Sequence, residues 1–178
     1  MSVSDEKKSL RKSLIQCRRQ MSPEVKAAAD ERIFQQLLPV IEQSSSVFSY
    51  VSTDIEVDTR KLLEWCFEHG KPVGTPVSGD TELTFYPVKS FEELSSGRYG
   101  ISEPVNRTSP LVPDERSVCI VPALCCDKTG LRLGYGRGYY DRFLTGFPGK
   151  AVIICYSEFV MNVPHEPHDR RADMVITD

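Results

Sequence analysis

Two apolar runs constrain the fold more than anything else in the chain: 117–124 (SVCIVPAL) and 150–156 (KAVIICY). Each is apolar almost without a break, bounded by turn residues, and of strand length. A strand with one wet face alternates apolar and polar residues; a continuous run reads as a strand covered on both faces. Covering a sheet on both sides takes helices, and parallel neighbours need crossovers to join them. Further strands are expected at 47–51 and 172–177. Segment 71–77 is another, and the alternating 81–88 (TELTFYPV) is expected to run antiparallel to its neighbour.

Helical patterns fill the gaps. Over 4–20, Leu10, Leu14, Cys17 and Met21 form an apolar stripe, with Lys7, Arg11 and Arg18 on the adjacent one and Lys8, Lys12 and Arg19 further round. Those cations read either as a solvated basic face or, for Lys7 and Arg11, as a clamp over a neighbouring anion. Ser22 caps a second helix with Pro23 at its first position. Ala29, Ile33, Leu37 and Ile41 mark its buried side. A third helix follows Asp58-Thr59, turns Leu62, Leu63, Cys66 and Phe67 inward, and stops at Gly70. A short one is expected at 91–94. Strands alternate with helices throughout, without repeat or linker. The expected fold is therefore an α/β three-layer sandwich, a mainly parallel sheet with helices on both faces, in one domain over 1–178.

Charge and cysteines narrow the function. A net charge of −3 and a pI near 5.7 argue against nucleic acid as a partner. No apolar run spans a bilayer, and the charged start MSVSDEKKSLRKSL lacks a signal-peptide core, so no membrane partner and a cytoplasmic location are expected. The six cysteines form no CxxC pair and read as small buried residues. Of these, Cys125 and Cys126 are the candidates for a nucleophilic thiol, although no histidine stands beside them.

The segment 132–142 (RLGYGRGYYDR) carries the chemistry. It lies downstream of a buried strand and opens a helix, where free backbone N–H groups converge on an anion. Gly134, Gly136 and Gly138 allow close approach and positive φ, and Arg132 and Arg137 add forked cations. The spacing is G-x-G-x-G. No strand is expected directly against it, so neither a dinucleotide fingerprint nor a Walker A loop is implied. Taken alone, the glycines read equally as a hairpin with tyrosines beneath. Asp141 in the first turn changes that, because a carboxylate beside phosphates calls for a bridging cation such as magnesium, or else serves the helix start. The H-x-x-H-D-x-x-x-D pattern of His165, His168, Asp169 and Asp173 fits no common zinc spacing and reads as a surface loop. Asp173, beside the last strand, is a candidate second magnesium contact.

Four blocks, KKSLRKSL, YVSTDIEVDT, YGISEP and DKTGLRLGYGRGYYDR, carry a resemblance to the 5-formyltetrahydrofolate cyclo-ligase family over nearly the whole chain. The resemblance implies ATP-driven closure of 5-formyltetrahydrofolate to 5,10-methenyltetrahydrofolate, with magnesium, reduced folate and ATP as the small-molecule partners. It implies ATP contacts from Lys7, Lys8, Arg11, Arg132, Leu133, Gly134, Tyr135, Gly136, Arg137, Gly138, Tyr139 and Tyr140. Arg132, Arg137 and Tyr140 are the expected catalytic residues. Val51, Glu56, Tyr135 and Tyr139 are expected on the folate, and Asp141 and Asp173 on the metal. A monomer is expected. The competing readings are another α/β enzyme binding a sugar phosphate or acyl-CoA, and a non-catalytic nucleotide-binding module.

Overall fold

The computed structural model describes residues 2–178. In chain order it contains helices α1 (Val3–Arg19) and α2 (Pro23–Gln43), strand β1 (Val47–Ser49) and helix α3 (Arg60–Glu68). The hairpin β2 (Val73–Ser78) and β3 (Leu83–Pro87) follows, then the small hairpin β4 (Leu94–Ser96) and β5 (Ser102–Pro104). Next come β6 (Val118–Pro122), the short pair β7 (Cys125–Cys126) and β8 (Arg132–Leu133), helix α4 (Tyr139–Thr145), β9 (Lys150–Ile154) and β10 (Met174–Ile176).

The main sheet has six strands in the order β10-β9-β6-β1-β2-β3. All neighbours are parallel except the β2–β3 edge pair. The two apolar runs thus become β6 and β9, side by side near the middle of the sheet. From β1 the chain crosses by α3 to β2 on one side; from β6 it crosses by α4 to β9 on the other. Right-handed crossovers running in opposite directions put their helices on opposite faces. Phe48 of β1 marks the α4 face, with ring centroids 5.2 Å from Phe147 and 6.1 Å from Phe143. The crossovers diverge between β1 and β6, which makes the carboxyl ends of those two strands the switch point where such sheets open a crevice.

Local chemistry explains the element ends. The Ser22 hydroxyl accepts the Val25 N–H, and Pro23 follows where no donor is needed. Ala29, Ile33, Leu37 and Ile41 are all buried. Gly70, at φ 61°, ends α3 in the left-handed region. No helix among the described residues is long and apolar enough to cross a membrane.

Several expectations need correction. The strand expected at 47–51 stops at Ser49, because Tyr50 and Val51 leave the ladder to line the crevice. The segment 91–94 is a single 3₁₀ turn, Phe91–Glu93. The loop 132–138 does follow a strand directly: β8 pairs with β7 and ends at Leu133. Two-residue strands leave no periodicity to read. On α1, Cys17 is exposed, whereas Lys7, Leu14 and Arg18 are buried. The buried stripe mixes apolar and cationic residues, which hid it from a hydrophobicity count.

Candidate active site

A cleft of about 1320 Å³ opens at the switch point. Tyr50, Val51 and Glu56 wall it after β1, Pro122 closes it after β6, and Leu133 to Arg142 form the opposite wall. The first half of α1 contributes Lys7 and Arg11, and residues 166–171 complete the rim. Single-ligand pockets commonly span about 300–1,000 Å³, so this cleft lies above that range.

The glycine loop is built from both backbone and arginines. Gly136 and Gly138 have φ of 92° and 68°, which L side chains resist. A Cβ at Gly134 would meet no protein atom within 4 Å, so that glycine leaves open space rather than relieving a clash. Arg11 Nε donates to the Gly134 carbonyl at 2.8 Å, fixing the loop to α1. Arg142 donates to the Arg137 carbonyl at 2.9 Å and to the Thr81 carbonyl at 2.5 Å. Helix α4 has only seven residues, about two turns. A helix this short offers little dipole, so any positive field at this wall comes from the loop amides and the cations.

Arg132 is 8% exposed and lies at the foot of the loop. Its fork donates to the Arg170 carbonyl at 2.9 Å and to Asp141 Oδ1 at 3.0 Å. The same Asp141 oxygen accepts the Arg170 N–H at 3.1 Å. Tyr140 packs its ring against Phe85, while its hydroxyl, buried on the cleft wall, has no hydrogen-bond partner among the described residues. Burial holds that phenol far above its ordinary pKa, so it keeps a proton to donate.

On the wall after β1, Glu56 is 9% exposed. Its Oε2 accepts the Thr53 N–H at 2.8 Å and the Thr53 hydroxyl at 2.9 Å. Tyr135 stands across the cleft from Glu56; burial first, then the Glu56 charge, raises that phenol's pKa. Two expected folate residues far apart in the chain therefore meet. The Tyr139 hydroxyl donates to the Gly79 carbonyl at 2.9 Å, which commits its polar end to the β2–β3 turn.

The remaining expected residues divide. Arg137 and Val51 line the cleft, but Lys8 is exposed and lines none of it. Lys8 follows Lys7 by about 100° of helix, which carries its side chain off the cleft face. Asp173 is also outside the cleft: its carboxylate accepts the Ala151 N–H at 2.7 Å and secures the β9–β10 edge. Cys125 and Cys126 are fully buried, and burial pushes the Cys125 thiol up to about 12, the state of an inert core residue.

Lys7 is buried against two carboxylates that the sequence reading left without a role. Its Nζ lies 2.6 Å from Asp169 and 3.1 Å from Glu166. Burial acts to lower the Lys7 pKa, but the bonds to Asp169 and Glu166 outweigh it and the net shift is upward. For Asp169, burial acts upward and is outweighed by Lys7 and the Glu166 N–H, leaving it below its ordinary 3.8. A depressed carboxyl stabilises the fold above its unfolded pKa and loses that contribution as pH falls through the folded one. The urea midpoint is therefore expected to drop more steeply below pH 3.8 in the parent than in Asp169→Asn. Parallel acid slopes for the two proteins would dismiss this lock.

Donor chemistry allows a magnesium ion, but only of one kind. No group of three or more His, Cys, Asp or Glu suited to a metal occurs among the described residues. Magnesium held mainly by phosphate oxygens and water needs a single carboxylate, and Asp141, with its side chain 26% exposed on the cleft wall, fits that need.

Fold and cleft together define an α/β protein with a cleft at a sheet switch point, walled by an arginine-braced glycine loop on one side and a buried carboxylate on the other. The sequence pattern of the 5-formyltetrahydrofolate cyclo-ligase family matches residues 3–178, and the chain belongs to that family of ligases. The 5-formyltetrahydrofolate cyclo-ligase of Mycolicibacterium smegmatis is 31% identical, over 96% of this chain and 93% of that protein. The Escherichia coli K12 protein of the same name is 32% identical over 91% and 94%. The solved 5,10-methenyltetrahydrofolate synthetase of Aquifex aeolicus superposes with a TM-score of 0.83 at 31% identity, covering 96% of this chain and 88% of that one.

Proposed function

We propose that the chain uses ATP to close 5-formyltetrahydrofolate to 5,10-methenyltetrahydrofolate, with both substrates held in the one cleft. The observation that supports this most is the shared volume of about 1320 Å³ between the glycine loop and Glu56. The loop amides with Arg11, Arg137 and Lys7 receive the triphosphate. Glu56 accepts N–H bonds from the pterin edge, a planar donor pair suited to a carboxylate. Val51 and Tyr135 pack on the rings.

The chemistry needs no protein nucleophile. The N5-formyl oxygen attacks the γ-phosphorus; its bond to phosphorus forms as the bond to the β,γ-bridging oxygen breaks, and ADP leaves. The formyl carbon is now an iminium carbon bearing a phosphate. N10 donates its lone pair to that carbon and loses its proton to solvent. The C–O bond then breaks toward the oxygen, releasing phosphate and leaving the methenyl bridge. The cleft's task is positioning and charge stabilisation. Arg132, with its fork fixed by Arg170 and Asp141, faces the transferring group, and Tyr140 donates its unused proton to an oxygen beside it. A magnesium ion held by Asp141 would supply neutralising charge to the phosphates.

In this reading residues 1–178 act as one domain and as a cytoplasmic monomer. Mixing the protein with 5-formyltetrahydrofolate and Mg-ATP is expected to produce the near-ultraviolet absorbance of the methenyl product, one ADP per turnover. Equal product without ATP would refute the phosphorylation route, and none at high protein concentration would refute the assignment.

A further inference from the structure

Behind Glu56 lies a polar network that the chemistry above does not use. Residues 53–58 belong to no helix or strand, so no backbone ladder sets their direction. Side chains hold them from the protein side instead. Arg18, 3% exposed, donates to the Ile55 carbonyl at 2.9 Å and to the Ala123 and Leu124 carbonyls at 2.8 and 2.9 Å. Its guanidinium stands 5.2 Å from the Tyr156 ring centre and 4.8 Å from that of Phe159. The Tyr156 hydroxyl is within hydrogen-bond distance of the Glu56 carbonyl (3.0 Å) and of Asp30 Oδ1 (2.8 Å). That Asp30 oxygen also accepts the Asp58 N–H at 3.0 Å.

We propose that Arg18, Tyr156 and Asp30 are positioning residues for the folate end of the cleft. They hold the backbone on both sides of Glu56 so that its carboxylate faces the ligand. The inference rests on the reading of Glu56 as a pterin contact. A guanidinium solvated by carbonyls and ring faces is a costly way to fill a core, where apolar residues of equal volume commonly stabilise as well or better. What it provides here is direction: three carbonyls from two separate segments converge on one rigid fork. Burial, reinforced by Asp30, keeps the Tyr156 phenol protonated well above its ordinary pKa, so its single proton is always available to the pair of acceptors. The glycine loop takes its own supports from Arg11, Arg132 and Arg142, through hydrogen bonds that go to residues outside 55–58.

Tyr156→Phe is the cleanest probe, because it keeps the ring under Arg18 and removes only the hydroxyl. It is expected to raise the dissociation constant for 5-formyltetrahydrofolate roughly tenfold and to leave that for Mg-ATP within about twofold. Asp30→Ala is expected to act in the same direction, and Asp30→Asn, which keeps an acceptor oxygen, to restore folate binding. In a Glu56→Ala background Tyr156→Phe is expected to add little, since both changes act through one side chain. Loss of both ligands in proportion to a fall in Tm, or no loss of either, would overturn the inference. If Glu56→Ala itself leaves folate binding intact, the reading of Glu56 falls and this inference with it. If Glu56→Ala weakens folate binding and Tyr156→Phe does not, only the positioning role falls.

Discussion

Replacing Arg132 with lysine is expected to lower kcat/KM for ring closure by about 10²–10³-fold, the usual scale for losing one preorganised charge donor. The positive charge survives this change; the geometry does not. Arg132 uses separate arms for the Arg170 carbonyl and Asp141, and this holds the planar fork still at the foot of the glycine loop. An ammonium on a flexible stem cannot keep both partners and also face a phosphoryl group. A conformationally fixed donor stabilises a transition state without first reorganising, which is the property lysine forfeits. The loss is expected mainly in kcat, with the folate KM little changed, as read from initial rates of methenyl formation. Because Arg132 also ties the 166–171 segment to the loop, a thermal melt must accompany the kinetics. An unfolded or strongly destabilised variant would mark the residue as structural, and a rise in KM alone would make it a binding group.

Glu56→Gln is the second large effect. The substitution keeps shape and the acceptor oxygen for Thr53, so the turn should persist. It removes the charge and turns one arm into a donor that opposes the pterin N–H groups. Charge-assisted bonds of this kind contribute about 1.5–3 kcal/mol, so the folate KM is expected to rise about 10- to 100-fold. Mg-ATP binding should change little, because the carboxylate is held by Thr53 while the loop is held separately by Arg11 and Arg142. Equal weakening of both ligands would show that the two ends are not independent sites.

Both predictions depend on residues whose identity was readable early and whose roles were not. The apolar runs that became β6 and β9 needed no partner to be recognised as buried strands, because being covered on both faces removes alternation. The glycine loop was legible for a similar reason: positive φ at Gly136 and Gly138 excludes most other residues. The strand leading into that loop was not legible, since two residues carry no period. The burial of Arg18 and Lys7 was not legible: a solvated basic face was one reading of both, and an anion clamp the other for Lys7. Their burial depends on carbonyls and carboxylates supplied by segments more than a hundred residues away, and local spacing holds no trace of those partners. The family resemblance implied an ATP contact at Lys8, although one helical step turns it outward, and Asp173, a candidate metal contact beside the last strand, is taken up by a backbone N–H.

The sequence by itself determined the α/β class, the mainly parallel sheet, the glycine loop and the family, because each is written in contiguous residues under local steric and hydrophobic rules. Only the tertiary structure decided that Glu56 faces Tyr135, that Asp141 holds Arg132, that Lys7 is locked by Asp169, and that the Tyr140 hydroxyl is left without a partner among the described residues. These are contacts between distant segments. Their geometry is set by the direction of the crossovers and by where the strands end, neither of which any short stretch of chain specifies alone.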